Sequence, residues 1–97
     1  VRIVNEDLLA EFRRYQSCEW CGKRCWPDPH HVFCRGMGGG SRLDIRINLL
    51  ALCRECHSQV HGGEIRRIDL LMVVAGRENV QIDAIVEEIW RLRRERR

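Results

Sequence analysis

The chain has 97 residues, with 17 Lys plus Arg against 14 Asp plus Glu and a formal net charge of +3. That length fits one small domain whose core buries only roughly 60–70% of the surface an unfolded chain exposes, so an added cross-link is expected. No signal peptide and no long apolar run is evident, which argues against a membrane span and a secreted disulfide scaffold and predicts a cytoplasmic protein.

Sixteen of the cations are arginine and only Lys23 is lysine. Planar guanidinium groups favour bidentate contacts to phosphate, although the same bias arises from genome composition. The modest basic excess admits nucleic acid as a partner without demonstrating it.

In chain order, Asn5 followed by Glu6 and Asp7 predicts a helix N-cap with acids at the positive helix end. Leu8, Leu9, Phe12 and Tyr15 recur at helical spacing, so this helix is expected to end near Gln16. Cys18-Glu19-Trp20-Cys21-Gly22 is a C-x-x-C turn, with Gly22 permitting the tight backbone after the second thiol. A second pair, Cys53 and Cys56, begins after 31 intervening residues. Two such pairs without targeting segments read as four ligands of one structural Zn2+, namely Cys18, Cys21, Cys53 and Cys56, rather than as disulfides. Zinc binding on the order of 10–16 kcal/mol would rival the whole stability of a domain this size. Cys25 and Cys34 fall at no paired spacing and read as small buried hydrophobes.

Between the pairs, Val32 and Phe33 favour a strand, the Gly-rich run from Arg35 to Arg42 must form a loop, and Asn48-Leu49-Leu50-Ala51-Leu52 is an apolar run feeding the second pair. The glycines lack a strand-turn-helix setting and a Gly-Lys-Ser/Thr ending, which excludes a P-loop. A loop with Arg35 and Arg42 at its ends, and Arg46 just beyond, suits a DNA backbone. His57 and His61 are four apart, so a helix would stack them on one face where they can share an ion. His30 and His31 are adjacent, and ideal strand neighbours face opposite ways. Both serve one site only if the backbone bends, for which Pro27 and Pro29 make room, or if one ring reaches the site from the side.

His30-His31, Asn48, and His57 with His61, set between two C-x-x-C pairs and a Gly-rich loop, resemble the HNH endonuclease family, whose fold is the ββα-metal finger. The resemblance covers about half the chain, residues 18–62. It implies that His31 is the general base for the attacking water, that His30, His57 and His61 hold a catalytic divalent metal, and that Asn48 fixes the loop and helps orient the base. A neutral imidazole titrates near physiological pH, so it can either accept a proton or ligate a metal. The implied reaction is metal-assisted phosphodiester hydrolysis in DNA. Many family members carry an acid where His30 stands. Three imidazoles make a softer site, binding nickel, cobalt, zinc or manganese more strongly than magnesium, with Mg2+, Mn2+, Ni2+ and Zn2+ all candidates for the working ion. Family members this small occur in phages and prophages, which implies nicking or double-strand cutting alongside phage packaging proteins.

Past Gly62-Gly63, Ile68, Leu70, Leu71, Val73 and Val74 form a dense apolar segment expected to stop near Gly76, with a turn around Asn79. Ile82, Ile85, Val86, Ile89 and Leu92 then repeat at helical spacing with Trp90 at the stripe's edge. This last helix is expected to pack on the first. A weak homodimer through the same stripe is the alternative to a monomer. The closing run from Arg91 to Arg97 reads as a solvated end or as a phosphate contact.

The expected fold is therefore a single α+β domain: a zinc-stabilised ββα-metal core at 18–62, an N-terminal helix at 1–17 and a helical C-terminal extension at 63–97. The alternative to a nuclease is a catalytically inactive zinc-ribbon DNA-binding or adaptor protein. Such a module has no need of His31 beside three further metal-capable histidines.

Overall fold

In the computed structural model, residues 2–33 and 42–95 are described. Helix α1 (Glu6–Arg13) starts where the Asn5 side chain accepts the Leu8 N–H at 3.0 Å, with Glu6 and Asp7 in its first turn. It stops short of the expected Gln16, which instead takes a left-handed φ of 62° and turns the chain into the first cysteine pair.

Strands β1 (Asp28–His31) and β2 (Leu49–Leu52) pair antiparallel, with Asp28 opposite Leu52 and His31 opposite Leu49. The first strand thus lies upstream of Val32 and Phe33, where it was expected. The cause is Asn48, which closes a 3-10 turn (Arg46–Asn48) just before β2. Its backbone carbonyl accepts the Val32 N–H at 2.9 Å and its side-chain oxygen accepts the Phe33 N–H at 2.8 Å, drawing the chain out of the ladder. Val32 and Phe33 are buried all the same.

Helix α2 (Arg54–His61) follows β2 directly, and α3 (Arg67–Glu78) and α4 (Ile82–Arg94) complete the fold. The expected turn at Asn79 is a left-handed cap with φ of 57°, whereas Gly76 lies inside α3 instead of ending it. No helix among the described residues is long and apolar enough to cross a membrane.

The small α+β architecture is organised about β2, whose four residues are all fully buried. Strand side chains alternate between faces. Leu49 and Ala51 accordingly meet Leu9 and Phe12 of α1, while Leu50 and Leu52 join Leu70, Leu71 and Val74 of α3 and Ile85, Ile89 and Leu92 of α4. The apolar stripe of α4 therefore packs on α3 and the 3-10 turn. The expected seat on α1 is wrong because a strand apolar on both faces needs cover on both.

Electrostatic ties join these layers. The Phe12 ring is fully buried under the Arg77 and Arg46 guanidinium groups, 5.0 and 5.5 Å from its centroid. Arg77 also pairs with Glu19 at 2.9 Å, and Glu19 exchanges two 2.8 Å hydrogen bonds with the Ala51 backbone. The first cysteine turn is thereby tied to both β2 and α3. Phe12→Ala removes the ring on which α1 and both arginines rest. We expect it to lower unfolding free energy by about 3–5 kcal/mol in urea titration, and a loss below about 1 kcal/mol would show that α1 is not part of the core.

Candidate metal centre and histidine cleft

The four cysteines of the two C-x-x-C pairs come together. The Sγ atoms of Cys18, Cys21, Cys53 and Cys56 all lie within 4.8 Å of one another, and Cys21 and Cys53 are 3.8 Å apart. A tetrahedral site with metal–sulfur bonds of about 2.3 Å has sulfur–sulfur edges of about 3.8 Å, so this cluster could hold an ion such as zinc. Backbone N–H groups aim at the sulfurs: Trp20 and Cys21 toward Cys18 at 3.4 and 3.5 Å, and Cys56 toward Cys53 at 3.4 Å. Gly22 makes the first turn possible, with φ of 79° and its N–H donated to the Cys18 carbonyl at 3.0 Å.

Ionisation in the cluster is uneven. Burial pushes the Cys18 thiol up, but the N–H groups of Cys21, Cys53 and Trp20 outweigh it and leave the pKa lowered to about 7. Cys56 is pushed up, first by burial and then by the neighbouring sulfurs. Four adjacent thiolates repel one another, and a divalent cation reverses that balance. Cys53 is also the N-cap of α2, its sulfur accepting the Cys56 N–H.

Helix α2 places His57 and His61 one turn apart, with ring centroids 4.8 Å from each other. Strand β1 brings His30 to the same place, its ring 4.9 Å from His57 and 6.2 Å from His61. Burial, then the nearby His57, His61 and His31 rings, lowers the His30 pKa to about 4. His57 is lowered too, by burial and then His61, against an opposing pull from Asp28. Crowded imidazoles kept neutral retain their lone pairs, which is the donor chemistry a divalent metal requires.

His31 turns to a different partner. Its Nε2 lies 2.7 Å from Oδ1 of Asp44, a carboxylate only 1% exposed. Asp44 also accepts the Asn5 N–H at 2.8 Å and Arg42 Nη2 at 2.7 Å. Burial alone would raise its pKa, but Arg42, the Asn5 N–H and His31 together hold it at about 2. An ionised carboxylate only accepts, so Nε2 carries the proton and the lone pair of a neutral His31 sits on Nδ1. Asp44 was not among the residues singled out from the sequence. The available signal was that it is the sole acid between Asp28 and Glu55.

His30 and His31 thus engage different partners yet border one cleft of about 370 Å³, together with His57, His61, Phe33 and Arg42. Arg42, expected at a DNA backbone, is on that wall and is paired with Asp44 and Glu6. Arg46 is not among the lining residues. Its guanidinium is held by Glu78, Glu11 and Tyr15. Asn48 is fully buried and does not line the cleft either. Its amide nitrogen donates to the carbonyls of Leu43 at 3.0 Å and Phe33 at 3.3 Å, tying together both flanks of residues 34–41. Arg35, Cys34, Arg96 and Arg97 lie outside the described residues. Cys25 is half-buried against the main core, and Arg91 pairs with Glu88 and Glu95.

Compared with protein-family models, curated proteins and solved structures, the chain has no match.

His30 supplies a pH test. Its folded value of about 4 lies below the ordinary 6.5, so the neutral ring favours folding fully above pH 6.5 and that contribution is lost as the pH falls toward 4. NMR titration of the ring carbons, with only the thiol cluster metal-loaded, should find His30 still neutral at about pH 5.5. A midpoint near that of a free histidine would mean that the ring is solvated.

Proposed function

We propose that the protein is a metal-dependent DNA endonuclease of the HNH type, with zinc in the four-cysteine cluster and a working divalent ion among His30, His57 and His61. The observation that carries this reading is the meeting of three imidazoles from β1 and α2, at ring separations of 4.8 to 6.2 Å, beside a fourth histidine oriented by a buried carboxylate. A binding module needs neither the cluster of neutral donors nor an oriented base.

In this reading each residue has a separate task. His31 takes a proton from the attacking water at Nδ1, while Asp44 fixes the ring and favours the imidazolium that forms. His30, His57 and His61 would hold the ion, which when bound stabilises negative charge on the phosphate and on the leaving 3′ oxygen. Arg42 adds positive potential on the cleft wall. Asn48 holds the flanks of the Gly-rich segment in place around the cleft. The resemblance to small phage nucleases suggests DNA nicking or double-strand cutting during phage DNA processing, with packaging proteins as partners.

Two outcomes are expected. Wild type should cut supercoiled plasmid with added manganese, nickel or magnesium, and His31→Ala should lose on the order of 100-fold or more in rate while retaining one zinc by elemental analysis. Plasmid left intact by wild type in all three metals would favour the adaptor. Cys56→Ser should lose both zinc and cutting although no histidine is touched, because Cys56 lies in the first turn of the helix that bears His57 and His61. Full activity in that variant would separate the cluster from the cleft.

A further inference from the structure

The histidine cleft does not end at His61. A second cleft of about 340 Å³ shares His30 and His61 with it and continues past Val32 and Leu70 to Arg66 and Arg67, where α3 begins. These two arginines differ in what already holds them. Arg66 is largely exposed, with its Nε 3.6 Å from the Asp69 carboxylate. Arg67 has no carboxylate partner among the described residues. Its Nε donates to the Val32 carbonyl at 3.3 Å, and its guanidinium lies 4.7 Å over the ring of Phe33, a residue that lines the first cleft.

We infer that the second cleft carries the DNA strand away from the histidine site, and that Arg67 is a phosphate-binding residue for the backbone just beyond the scissile bond. The inference deepens the nuclease reading and rests on it. A polyanion seated on His30 and His61 must continue past one rim of the site, and the cleft that shares those two residues is a ready path. Arg67 is the cation on that path whose charge no acid among the described residues offsets, unlike Arg42 with Asp44 and Glu6 or Arg46 with Glu78 and Glu11. One hydrogen bond and one aromatic face orient its plane in advance, so less side-chain freedom is lost when the fork of nitrogens meets a phosphate. No ion pair among the described residues has to break for that contact to form.

The test measures binding of a fluorescently labelled DNA duplex against salt concentration, in a His31→Ala background that prevents cutting, alongside plasmid cleavage by the parent protein. Arg67→Gln should bind roughly five- to tenfold more weakly at about 0.1 M salt, and the slope of log K against log salt should shrink by about 0.9. Arg67→Lys keeps the charge and should keep the slope. Arg13→Gln, an equal charge change at the exposed end of α1, should leave both unchanged. A slope unaltered by Arg67→Gln, or lost equally in Arg67→Lys, or absence of duplex binding by the parent, overturns the inference. If wild type cuts plasmid while Arg67→Gln binds normally, only this inference fails. If binding depends on Arg67 as expected but no metal supports cutting, only the nuclease reading fails.

Discussion

Sulfur stands at the start of α2. Cys53 is at once the residue that follows β2, the N-cap of α2 and one corner of the four-thiol cluster, and Cys56 adds a second corner within the helix's first turn. An ion bound there would fix both the start of the helix and its rotation. Rotation matters because a shift of one residue turns a helical side chain by about 100°. His57 and His61 meet the ring of His30 only while that register holds. A coordination bond would be a stiffer constraint on that register than side-chain packing by itself.

Around that point the structure is braced by polar contacts that reach across layers. Glu19, one residue past Cys18, is bound to the Ala51 backbone and to Arg77, so the first cysteine turn cannot drift from β2 without disturbing α3. Asp44 does the same on the other side, joining the N-terminal backbone at Asn5, the exit of the Gly-rich segment at Arg42 and the end of β1 at His31. Neither acid is a free surface charge. Each is the common acceptor of groups from separate parts of the chain, which makes its environment sensitive to all of them.

Features with a local chemical signature were legible in the sequence. The two C-x-x-C pairs, the helical spacing of His57 and His61, the Asn5 cap and the Asn79 turn each depend on a few neighbouring residues, and all appear as read. What was misread depends on distant partners. Val32 and Phe33 have strand-like side chains, but Asn48 takes their backbone N–H groups. The stripe on α4 is apparent from its period, whereas its partner follows from β2 being buried on both faces. The partners of Arg46, namely Glu78, Glu11 and Tyr15 from other elements, likewise have no signature next to it in the sequence. Asp44 was missed because one acid among apolar residues shows its role only when His31 is brought beside it.

Asn48 has a wider meaning for how such a chain can diversify. One amide clasps Phe33 and Leu43, so the intervening stretch leaves and rejoins the scaffold at two pinned ends. Closing a longer stretch between fixed ends adds only about 0.6 kcal/mol per doubling of length. A change of length between those two ends therefore leaves the spacing of the four thiols and of the histidine rings to the scaffold that Asn48 closes.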